Sequence, residues 1–72
     1  MNSLDPAELH SIEALVDKHG LAHMLDALGV IAQDKAAHIV ENWQDRPTAS
    51  LWSRAAARIL AIVDPVANLV SR

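Results

Sequence analysis

The chain has 72 residues, 51% of them hydrophobic, a formal charge of −3 and no cysteine. Disulfides and cysteine-ligated zinc are thereby excluded, and the acidic balance argues against a general polyanion binder, whose affinity comes from neutralising phosphates. A domain of about 60 residues buries only about 60% of its unfolded surface, so oligomerisation is the expected substitute for the missing staples.

The apolar residues are mainly Ala, Leu, Ile and Val, and the aromatics are two tryptophans. Glycine (2) and proline (3) are few, so turns are few. No stretch alternates apolar and polar residues as a half-buried strand would. The composition predicts an all-α fold in one domain, 1–72, built as an antiparallel helical hairpin or three-helix bundle with a short C-terminal helix.

The first helix is expected over 6–19. Asp5 stands at the N-cap, Pro6 at the first helical position and Glu8 three residues after the cap, the acidic form of a capping box. Leu4 and Leu9 are placed for a hydrophobic staple. Leu9, Ile12, Leu15 and Val16 share one face, and Lys18 and His19 suit the negative end of the helix dipole. Gly20 supplies a left-handed position after the helix, from which Leu21 can fold back on Val16 in a Schellman ending.

A second helix is expected over 21–44, with a seam at Leu21, Met24/Leu25, Leu28, Ala32, Lys35/Ala36, Ile39 and Trp43. Those steps alternate between three and four, as in a helix packed along its length. Leu21 has no good N-cap before it, so the first two helices also read as one helix broken at Gly20. Gly29 lies inside the second, where glycine costs about 1 kcal/mol against alanine unless a neighbour needs the space. Close approach of another helix and a simple kink both account for it.

Asp45-Arg46-Pro47-Thr48 breaks the pattern, because proline lacks the helical donor and disfavours helical geometry before it. The third helix is expected over 48–63, with Leu51, Trp52, Ala55, Ala56, Ile59, Leu60, Ile62 and Val63. Asp64-Pro65 repeats the cap-then-proline signal of Asp5-Pro6, which places a fourth helix over 65–71 with Val66, Leu69 and Val70. Residues 59–63 are apolar in every direction around the axis, so they need cover on all sides. Either the first and fourth helices supply it or a second chain does. The expected oligomer interface is Ile59, Ile62, Val63, Val66, Leu69 and Val70.

Residues 1–9 lack the basic and apolar regions of a signal peptide, and the longest apolar run, residues 59–63, is far below the roughly 20 residues that span a bilayer. No membrane association and a cytoplasmic location are the expectation.

Asp34, His38 and Glu41 lie on one helical face and are the weak metal candidates. Carboxylate-bridged dimetal bundles use Glu-x-x-His pairs, which this sequence lacks, so local ion pairing on a solvated face is the simpler account. His19 and His23 straddle Gly20. Ser11, Ser50 and Ser53 carry no motif of an activated serine, and no glycine-rich phosphate loop is present. The sequence therefore predicts no enzyme and no cofactor.

Arg54 and Arg58 are one helical turn apart and, with Arg46, form the main basic feature. They serve either a partner's acidic or nucleic-acid surface or ion pairs with the chain's own acidic helices. Trp43 and Trp52 bracket the turn that holds Asp45 and Arg46. They read either as an aromatic plug closing the bundle or as an interaction hot spot, where Trp and Arg are enriched. The expected function is a small non-catalytic interaction module, an adaptor or regulator acting as a homo-oligomer with an unidentified protein partner. Its expected partner surface is Trp43, Asp45, Arg46, Trp52, Arg54 and Arg58. The alternatives are a nucleic-acid-associated transcriptional regulator, disfavoured by the aliphatic third helix, and a metal-binding helical bundle.

Overall fold

The computed structural model describes residues 3–70, all helix and short connections: α1 (Pro6–His19), α2 (Leu21–Trp43), α3 (Arg46–Ala61) and α4 (Val63–Leu69). Among the described residues there is no strand.

The start of α1 forms as its sequence dictates. Glu8 N–H donates to Asp5 Oδ1 at 2.8 Å, and Asp5 N–H donates to Glu8 Oε1 at 3.1 Å. Two donors that a helix start leaves unpaired are thus satisfied reciprocally. At the other end Gly20 takes φ 92° and ψ 151°. The positive φ is the expected one, but this ψ is far from left-handed helical, so the Schellman ending does not form. Gly20 N–H donates to Val16 O at 2.7 Å, and its own carbonyl accepts from Met24 N–H at 3.1 Å, so one residue ends α1 and starts α2. This backbone region is essentially restricted to glycine.

α2 and α3 form the antiparallel hairpin, with Gly29 of α2 opposite Ile59 and Leu60 of α3. The seam on α2 is Ala22, Leu25, Gly29, Ala32, Ala36 and Ile39, with Leu25 and Ile39 half-buried and the others buried. On α3, Ala49 and Ala56 are buried, while Ile59, Leu60 and Val63 beyond its end are half-buried. The expected seam is therefore rotated. Leu21, Leu28, Lys35 and Trp43 lie outside it, whereas Leu25, Ala32, Ala36 and Ile39 of the expected seam do pack, and the fully buried positions are its small residues. No buried hydrophobic side chain is larger than alanine among the described residues. A Cβ built on Gly29 would stand 2.6 Å from Leu60 Cγ, so Gly29 serves close helix approach.

α3 begins two residues earlier than expected, and Pro47 sits in its first turn. A first turn has no use for the missing proline donor, and Asp45 supplies the cap by accepting Thr48 N–H at 3.2 Å. α4 also begins two residues early. Its N-cap is Ile62, with no side-chain cap, and Asp64 falls inside its first turn. The expected Asp64 cap is thus incorrect: Asp64 lies past the cap position, where its carboxylate meets no backbone donor. The expected end of this helix at residue 71 lies outside the described residues.

α4 packs on both α2 and α3, but α1 touches α2 alone. The architecture is the hairpin with appended helices, not a three-helix bundle. α1 buries no residue, and Leu9, Ile12 and Leu15 are exposed.

Two outcomes test this description. Asp5→Ala should lower stability by about 1 kcal/mol in thermal or chemical unfolding, as lost caps do, whereas Asp64→Ala should leave it unchanged. Gly29→Ala should cost about 1 kcal/mol net, since overpacking by about 1–3 kcal/mol outweighs the helix-propensity gain of about 1 kcal/mol. In a Leu60→Ala background the same change should become neutral or stabilising, which a double-mutant cycle reads directly.

Candidate interaction surfaces

The hairpin presents two unlike sides. On one, an open groove of about 730 Å³ runs between α2 and α3, floored by Ala36, Ala37, Val40, Ala49 and Ala57 and edged by Gln33, Glu41, Arg46, Ser50 and Ser53. At about 100° per residue, the opposite side receives Leu21, Leu28 and Ile31 from α2, Leu51, Trp52 and Ala55 from α3, and Ile62 just past the end of α3. All seven are exposed. Large aliphatic side chains thus collect on the side away from the alanine floor.

The residues expected to bind a partner are distributed over these features. Trp43, at the end of α2, is 73% exposed, and Trp52 is 39% exposed. Neither is the buried plug that one reading of the sequence required; the small-residue seam draws the helices together without them. Arg46 edges the groove, whereas Arg54 and Arg58 border a shallower cleft of about 400 Å³ with Leu51 and Ala55. α3 holds three arginines and no acid, and among the described residues none of them pairs with a carboxylate within 4.0 Å. The reading in which they pair with the acidic side of α1 or α2 is not what the chain does: no such ion pair forms among the described residues, and α1 does not reach α3.

Asp45 acts on its own helix. The side-chain and backbone hydrogen bonds of Thr48 hold its carboxyl below the ordinary aspartate range. Its cap on α3 is the role the geometry gives it, and the sequence pattern signalled this only through the Asp-x-x-Thr spacing.

Of the interface expected from the sequence, Ile59, Val63 and Val66 are half-buried, partly by α4 itself, while Ile62, Leu69 and Val70 are exposed, Leu69 by 85%. Within the chain, Ile59 and Leu60 lie against Gly29 of α2, α4 packs on α3, and α1 does not reach α3.

The histidine readings resolve into local bonds. Asn42 Nδ2 donates to His38 Nδ1 and to His38 O, both at 3.0 Å. Asp34 and His38 border a cleft with Ile31 and Lys35, whereas Glu41 edges the α2–α3 groove. No cluster of three metal-ligating side chains occurs among the described residues. His23 Nδ1 lies 2.8 Å from His19 O, where a ring N–H satisfies a carbonyl at the end of α1. Ser11 Oγ donates to Ala7 O at 3.1 Å. No helix among the described residues is long and apolar enough to cross a membrane.

Compared with known protein families, curated proteins and solved structures, the chain matches none.

The Asp45 cap carries a pH dependence of definite sign. A carboxyl depressed in the folded state adds stability that is fully present above its unfolded value, near pH 4, and is lost as pH falls through the lower folded value. Asp45→Asn should flatten that acid limb in thermal melts between about pH 5 and 2, because asparagine still caps but does not titrate in this range.

Proposed function

We propose that this protein is a non-catalytic helical interaction module that works as a homo-oligomer in the cytoplasm. The observation that supports this is its accessible area. The chain exposes 5745 Å². A folded monomer of 7.8 kDa normally exposes about 4,400 Å², so the surplus is about 1,300 Å². A standard interface takes about 800 Å² from each partner, which the surplus more than supplies. The radius of gyration agrees: 14.1 Å against about 11 Å expected for a compact chain of this length.

The surplus is apolar in kind. Leu9, Ile12, Leu15, Leu28, Ile31, Leu51 and Ile62 are each exposed by 41% or more. Each such side chain, fully buried, contributes about 1.5–3 kcal/mol, and a symmetric dimer uses each twice. Trp43 and Trp52, on either side of the hairpin turn, are the aromatic anchors for a partner protein, with Arg46 beside the turn as its polar contact.

Light scattering coupled to size exclusion at micromolar concentration should give at least twice the 7.8 kDa chain mass. Ile62→Glu should shift the population towards monomer with helicity retained in circular dichroism. A wild-type chain that runs as a well-folded monomer overturns the proposal.

A further inference from the structure

We infer that α1 of one copy docks, parallel and in trans, on α3 of a second copy, with Glu13 and Asp17 set against Arg54 and Arg58. This rests on the self-association proposed above and names its surfaces.

α1 and α3 are complementary yet separate. α1 has an uncovered face of Leu9, Ile12 and Leu15 and carries three acids against one lysine. α3 has three arginines, no acid and an uncovered stripe of Leu51 and Ala55, which Ile62 continues just past its end. Within one chain the two helices make no contact, because Gly20 directs α1 away.

The spacing of the charges matches. Glu13 and Asp17 are one helical turn apart, as are Arg54 and Arg58, so both pairs engage together. Viewed from the N-terminus, the acids lie clockwise of the apolar face of α1, at about 100° per residue. The arginines lie counter-clockwise of the apolar stripe on α3. Flanks of opposite hand fall on the same side only when two facing helices run parallel. That orientation sets Glu13 beside Arg54 and Asp17 beside Arg58. Two-fold symmetry repeats the contact, so each copy gives one α1 and one α3.

The test uses two variants of the full chain, Glu13→Arg/Asp17→Arg and Arg54→Glu/Arg58→Glu, with helicity checked by circular dichroism. Each alone sets like charges together at both contacts and should dimerise on the order of 10-fold or more weakly than wild type in sedimentation equilibrium. Mixed in equal amounts, they should form a heterodimer, because each α1 then meets an α3 of opposite charge. Docking of α1 on its own α3 instead predicts no effect of mixing. A wild-type dimer with both variants still dimeric, or weakened variants that mixing does not restore, overturns this inference and leaves self-association standing. A monomeric wild type overturns the self-association reading and this docking with it.

Discussion

The structure depends on how closely α2 approaches α3. Gly29 sits against Ile59 and Leu60, and the residues buried along the two helices are otherwise alanines, Ala22, Ala32 and Ala36 on α2 and Ala49 and Ala56 on α3. Dispersion attraction is short-ranged, so backbones that meet over small side chains gain many contacts along two helices. The same choice limits how much apolar area the hairpin removes from water. Leu21, Leu28, Ile31, Leu51 and Ile62 lie outside the seam and stay exposed.

Local signals in the sequence carried much of the fold. Asp5, Pro6 and Glu8 marked the start of α1, and Gly20 marked its end, because caps and positive φ are properties of single residues and their near neighbours. Pro47 and Pro65 misled by two residues each, since a proline in a first turn looks like a break when only the missing donor is considered. The expected seam of α2 coincides with the observed one only in part, for a different reason. Hydrophobic periodicity gives most weight to large side chains, and α2 carries a second arc of them, Leu21, Leu28 and Ile31, beside the arc of small residues that packs. Alanine and glycine contribute little to such a pattern, although they decide how near two backbones come. Leu25, Ala32, Ala36 and Ile39 belong to both the expected seam and the observed one, and Gly29 marks the arc that packs.

The candidate surfaces were legible in parts. Arg54 and Arg58 stood out by spacing, and the tryptophans by rarity. That α1 stands clear of α3 was not legible, because it follows from the ψ angle at Gly20, and glycine leaves that angle open. The role of Asp45 was obscured by the proline two residues on, which drew the expected helix start past it.

A core of alanines also changes how the molecule fails. Most cores are damaged by truncation, which leaves a cavity where a large side chain had been. At the five buried alanines only one methyl group can be removed, so truncation leaves almost no cavity and costs only the roughly 1 kcal/mol by which glycine disfavours a helix. Enlargement is the dangerous direction, since each added carbon pushes two backbones apart along the whole hairpin. Random mutation of an alanine codon almost always enlarges the side chain, so this short seam is a large target for loss of structure in a small protein, while the leucines and isoleucines around it tolerate exchange among themselves.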